Sequence, residues 1–129
     1  GSDWYGVDCE LGKVVGLSLG TNNLNGTLPE SLSELGLLHF AVPNNKLVGT
    51  FPAAYANWTG VERVVVAYNS LERAPMETFT RLPSAEVINA SSCCRVESNV
   101  TTEVFADLLT LPNLVSLVCD RCNLTGSLP

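Results

Sequence analysis

One punctuation recurs along this chain, and it limits the possible folds more than any other feature. Val14 to Pro29 reads V-x-x-L-x-L-x-x-N-x-L-x-G-x-L-P, and Leu37 to Pro52 reads L-x-x-F-x-V-x-x-N-x-L-x-G-x-F-P. Val61 to Pro75 keeps V-x-x-V-x-V-x-x-N-x-L and loses the Gly; Leu114 to Pro129 has L-x-x-L-x-C-x-x-C-x-L-x-G-x-L-P. A looser copy lies between the third and the last. The first three units start 23 and 24 residues apart. A unit this short cannot bury its own apolar face, so copies must stack and share one core.

Within each unit the alternating apolar positions predict a short strand whose alternate side chains face inward. The expected inward pairs are Leu17 and Leu19, Phe40 and Val42, Val64 and Val66, Ile88 and Ala90, and Leu117 and Cys119. Asn22, Asn45 and Asn69 follow three residues after the strand, where a buried amide is tolerable only if paired with backbone groups, so a ladder is expected. Glu30–Leu35 and Ala53–Asn57 read as single helical or 3₁₀ turns. Met76–Thr80 and Thr102–Leu109 look more helical, with Thr101 or Thr102 as N-cap. Ahead of the first unit, Trp4 and Val7 are the expected plugs of the stack, and Gly12-Lys13 turns a hairpin into the first strand.

A period in the low twenties with this spacing resembles a leucine-rich repeat. The expected fold is α/β: a right-handed solenoid with a parallel β-sheet on its concave face and short helical or irregular convex segments. Residues 1–13 would form an N-terminal cap, and 14–36, 37–60, 61–84, 85–113 and 114–129 the repeats, the last incomplete. The L-x-G-x-(L/F)-P ending, with W-x-G-V-x-C ahead of the first unit, is similar to the plant-type extracellular class, which includes receptor-kinase ectodomains and polygalacturonase-inhibiting proteins. Cys122-Asn-Leu-Thr-Gly-Ser-Leu-Pro also resembles trypanosomatid surface antigens of the promastigote type. In the plant class the cap carries two Cys; this chain has only Cys9 there.

Charge and modification motifs point the same way. The net charge is −6, and seven Lys and Arg form no cluster, which argues against nucleic acid. No apolar run is long enough for a transmembrane helix. Gly1-Ser2 reads as a cloning scar, and the stop within a unit reads as a fragment whose open C-terminal edge offers self-association. Only 16% of residues are charged, while five acceptor sequons are present, at Asn25, Asn57, Asn89, Asn99 and Asn123. Sugars would supply the missing solvation, so an extracellular or cell-surface location is expected.

The cysteines suit that compartment. Cys93 and Cys122 occupy the Asn position of the last two units, and neighbouring strands lie about 4.8 Å apart, inside the Cα range of a disulfide. Cys93–Cys122 is one candidate bridge and Cys94–Cys119 the other; buried thiols filling the ladder are the bland reading. A zinc site is disfavoured, because adjacent Cys rarely both reach one tetrahedral centre, and no metal or cofactor is expected.

Catalysis has little to stand on. The single His, His39, lies on an outward strand position with no Ser or Cys arguable at its register, and Glu62 and Glu86 fall on one column, where a glycosidase-like carboxylate pair is the alternative to the commoner solvated or partner-binding stripe. The expected function is therefore recognition, by a receptor-like surface module binding a protein, peptide or glycan through its concave face. Leu38, His39, Glu62, Arg63, Val65, Tyr68, Val118 and Arg121 are the candidate contacts. The alternative is a structural spacer or glycosylated coat with no specific ligand.

Overall fold

The computed structural model describes residues 5–73, 75–94, 98–120 and 122–125. In chain order the strands are β1 (Val7–Glu10), β2 (Lys13–Ser18), β3 (Asn25–Thr27), β4 (His39–Ala41), β5 (Lys46–Val48), β6 (Arg63–Val65), β7 (Val87–Asn89), β8 (Ser98–Thr101), β9 (Ser116–Val118) and β10 (Cys122–Thr125). Two helices, α1 (Met76–Phe79) and α2 (Thr102–Leu109), join 3₁₀ turns at Glu30–Glu34 and Ala53–Asn57 on the other side. Thr101 caps α2, its Oγ1 accepting the Val104 N–H at 3.3 Å.

The main sheet runs β1-β2-β4-β6-β7-β9. From β2 onward it is parallel, in the register Leu17, Phe40, Val64, Ile88, Leu117. Those are the expected inward residues. The middle ones are fully buried and Leu117, on the last strand, only partly. β1 pairs antiparallel with β2 through a turn at Leu11 and Gly12, both at positive φ (50° and 77°), so the cap is a hairpin added to the sheet's first edge. Val7 packs against the core from it; Trp4 lies outside the described residues.

The core is more aromatic than the repeat pattern suggests. Phe40, Phe51, Tyr55 and Trp58 pack together, Tyr55 and Trp58 stacked at 4.0 Å, and Phe79 joins from α1 edge-on to Phe51 at 5.5 Å. Their polar tips are satisfied by the preceding unit: Tyr55 Oη donates to the Pro29 carbonyl (2.7 Å) and Trp58 Nε1 to that of Leu32 (3.0 Å). Burial raises the Tyr55 phenol far above its ordinary range, so it stays neutral and a donor.

The amide ladder is built by Asn45 and Asn69. Asn45 Oδ1 accepts the N–H groups of Asn22 and Leu24 (both 3.0 Å), and its Nδ2 donates to Leu19, Val42 and Pro43 carbonyls. Asn69 accepts from Leu47 N–H (3.2 Å) and donates to Val42, Val66 and Ala67. Each Asn thus reaches back one unit. Beside Asn22 lies the antiparallel hairpin rather than another repeat, and among the described residues its exposed side chain bonds the Gly20 carbonyl alone.

At the fourth unit a backbone amide takes over from the side-chain amide. Cys93 N–H donates to Ala90 O (3.3 Å), as Asn69 Nδ2 does to Val66 O, and Cys93 C=O accepts Leu71 N–H (3.0 Å), as Asn69 Oδ1 accepts that of Leu47. The buried Cys93 side chain fills the core instead.

Neither expected cross-repeat disulfide forms: Cys93 is bonded to Cys94. Register explains the difference, because β10 pairs with β8 so that Cys122 stands opposite Ser98, beyond Cys93 and Cys94, while Cys94 bridges back to Leu71. Cys119 is itself disulfide-bonded, and the Cys9 thiol is free and half-buried.

Candidate functional site

Among the described residues no helix or further strand covers the sheet's outward face, and its edge toward the strand starts forms a groove of about 590 Å³. Ser18, Leu38, His39, Glu62, Arg63, Glu86, Val87 and Val115 line it. The parallel ladder sets them in rows. His39, Arg63, Val87 and Ser116 are register partners across β4, β6, β7 and β9. The residue before each forms a second row, Leu38, Glu62, Glu86, Val115, held by Glu62 N–H to Leu38 O, Glu86 N–H to Glu62 O (both 2.7 Å) and Val115 N–H to Glu86 O (2.8 Å).

Glu62 and Glu86 are thus stacked as the sequence suggested. Glu62 raises the Glu86 carboxyl above its ordinary value, first by a side-chain hydrogen bond and then by like-charge repulsion. Arg63 forms no ion pair among the described residues.

His39 has a partner that the sequence hid. Its Nε2 lies 2.7 Å from Asp8 Oδ2. The antiparallel hairpin sets Asp8 opposite Gly16, and the parallel ladder sets Gly16 opposite His39. Gly16 has no side chain, so the imidazole lies across it; a Cβ there would overlap the ring. Asp8 was unreadable as a site residue because a bulge between Asp8 and Cys9 shifts the hairpin register. Ser18 lines the same groove, and no Ser18–His39 hydrogen bond occurs among the described residues.

The other candidate contacts divide. Leu38, His39, Glu62 and Arg63 come together in the groove. Tyr68 and Val118 are exposed but lie outside it. Val65, expected to be exposed, is buried with Ala41 and Ala67. It sits on a central strand with neighbours on both sides, whereas Val118 lies on β9, which among the described strands has β7 alone beside it in this sheet. Arg121 lies outside the described residues.

Tyr68 has an unusual backbone. Thr21, Asn44, Tyr68 and Ser92, each one residue before the ladder position, all have φ between 49° and 58°. Asn tolerates that left-handed conformation; an aromatic does so at a cost.

Of the sequons, Asn25 and Asn57 are exposed. Asn89 is half-buried on the outward face, in register between Val65 and Val118, its Oδ1 accepting Ser91 N–H (3.1 Å). The side chains of Asn99 and Asn123, like that of Cys122, lie outside the described residues.

No protein-family model matches the chain. Among solved structures, the BIR2 ectodomain from Arabidopsis thaliana superposes with a TM-score of 0.82 at 21% identity, over 98% of this chain and 66% of that one. A pollen receptor kinase 3 matches at 0.79 and 24%, over 98% and 60%. The plant peptide hormone receptor RGFR1, in complex with RGF2, matches at 0.67 and 18%, over 99% and 27%. The fold is therefore that of plant leucine-rich-repeat ectodomains, and the chain spans less than two thirds of each of these proteins. No helix among the described residues is long and apolar enough to cross a membrane.

Proposed function

We propose that this chain is the recognition module of an extracellular or cell-surface protein, binding a protein, peptide or glycan partner through the concave, groove-bearing side of its sheet. The observation that carries this reading is the groove itself: the carboxylates of Glu62 and Glu86 and the Arg63 guanidinium, without ion-pair partners among the described residues, stand beside Leu38 and the exposed Val115. Isolated apolar residues on a surface need no explanation, but apolar and unpaired charged groups converging in one concavity suit a ligand. RGFR1, on the same fold, is a receptor in complex with a peptide hormone. The sequons and bonded cysteines favour an oxidising compartment.

A second reading, a structural spacer in a glycosylated coat, is favoured by Asn89, because a sugar there would stand on the binding face. One experiment separates the two. A fluorescent tetramer of the glycosylated chain is applied to intact cells. Recognition predicts saturable staining that falls at least tenfold, on the order of 1.4 kcal/mol, when Tyr68→Ala and Arg63→Ala are combined. Absence of staining together with occupancy of all five sequons would favour the spacer.

A further inference from the structure

We propose that the groove takes an extended peptide of the pattern apolar-x-basic-x-apolar, its basic side chain seated between Glu62 and Glu86 and its apolar side chains over Leu38 and Val115. This rests on the recognition reading above and specifies the partner's chemistry.

The row Leu38, Glu62, Glu86, Val115 reads apolar, acidic, acidic, apolar across consecutive parallel strands. Strand spacing of about 4.8 Å puts the midpoint of the two glutamates about 7 Å from Leu38 and Val115 about 14 Å from it. An extended peptide presents same-face side chains about every 6.8 Å, so positions i, i+2 and i+4 fall on Leu38, the carboxylate pair and Val115 in turn. The ligand would cross the strands, its backbone along the row.

Charge selects the central residue. Three carboxylates, Asp8, Glu62 and Glu86, stand in or beside the groove with one guanidinium, Arg63, a net charge of −2 with His39 neutral. Neither glutamate has a cationic partner among the described residues. Glu62 raises the Glu86 carboxyl above its ordinary value by a hydrogen bond and by like-charge repulsion, and a cation seated between the two carboxylates relieves that repulsion. A planar guanidinium can bridge two neighbouring carboxylates. Arg63, one row away, is left to meet backbone carbonyls or an acidic flanking residue of the peptide. A hard divalent cation fits poorly: it needs six or more oxygen ligands, and among the described residues no group of three or more His, Cys, Asp or Glu could hold a metal.

The test titrates the isotope-labelled chain with Ac-Leu-Gly-Arg-Gly-Leu-NH2, its central-Glu analogue and Ac-Gly-Gly-Arg-Gly-Gly-NH2, following backbone amides. Saturable shifts at Glu62, Glu86 and Val115 with the first peptide are expected, weaker binding with the third, and none with the second. Glu62→Gln combined with Glu86→Gln, both exposed positions, should weaken the first peptide by about tenfold while leaving the rest of the spectrum unchanged. Equal binding of the central-Glu peptide, shifts confined to other surfaces, or no saturable shift with any peptide would overturn the proposal. So would calcium chloride alone producing the same glutamate-dependent shifts. If the central-Glu peptide occupies the groove, the basic anchor fails while recognition stands; if the tetramer stains no cells, recognition fails independently.

Discussion

Replacing Asn69 by Ala should be among the most damaging single changes on the turn side of the sheet, and its effect can be worked from the bonds it removes. Four hydrogen bonds disappear. Two leave little behind, because the Val42 carbonyl keeps the Asn45 amide and the Ala67 carbonyl keeps the Asn44 N–H. The Leu47 N–H and the Val66 carbonyl lose the Asn69 side chain as hydrogen-bond partner, with no replacement at hand among the described side chains, and both residues are buried. At about 1–3 kcal/mol for each of the two buried polar groups left unpaired, the loss is about 2–6 kcal/mol, centred on about 4 kcal/mol. For a chain of this size that lowers the melting temperature by about 10–15 °C. Asn22→Ala removes one exposed bond and should cost less than about 0.5 kcal/mol. Urea titration followed by fluorescence of Trp58, stacked in the core, reads both variants. The reasoning fails if Asn69→Ala costs under about 1 kcal/mol, or if Asn22→Ala costs as much as Asn69→Ala.

Three further outcomes follow from the open face. Glu86 binds its proton more tightly folded than unfolded, so its contribution is full below the unfolded carboxylate range and is lost as pH rises through its raised folded value; the melting temperature of Glu86→Gln should match the parent in acid and exceed it toward neutral pH. Tyr68→Asn relieves the left-handed strain at φ 57° and should raise stability by about 0.5–1 kcal/mol in calorimetry while reducing tetramer staining; a loss of stability would contradict the strain. Gly16→Ala should push the His39 ring off Asp8, so Asp8→Asn, worth at most about 1 kcal/mol in the parent because the pair is exposed, becomes silent in that background; an unchanged effect in this double-mutant cycle would refute the bridging geometry.

The strands and the ladder were legible because each depends on spacing alone. Phe40, Val64 and Ile88 had to face inward once a period-2 pattern recurred at a fixed interval, and Asn45 and Asn69 had to bond backbone once buried. What escaped depends on contacts between units, or on register that no spacing reveals. Trp58 reads as the middle of a sequon, and only the fold shows it stacked on Tyr55 and bonded to the preceding unit. Asp8 reaches His39 through two successive strand pairings, one of them bulged. Val65 alternates outward as expected, yet two flanking strands bury it. The cysteine pairing depends on how β8 meets β10, where the lengthened fourth unit displaces the simple repeat alignment.

The most direct test of recognition by the open face compares charge reversal on the two sides of the sheet. Glu62→Lys with Glu86→Lys alters the groove, and Glu103→Lys with Asp107→Lys makes the same change on the exposed residues of α2. Measured as tetramer staining of intact cells, with matched melting temperatures, the groove pair should abolish binding and the α2 pair should leave it at the parent level. Staining retained by the groove pair and lost by the α2 pair would contradict recognition through the sheet.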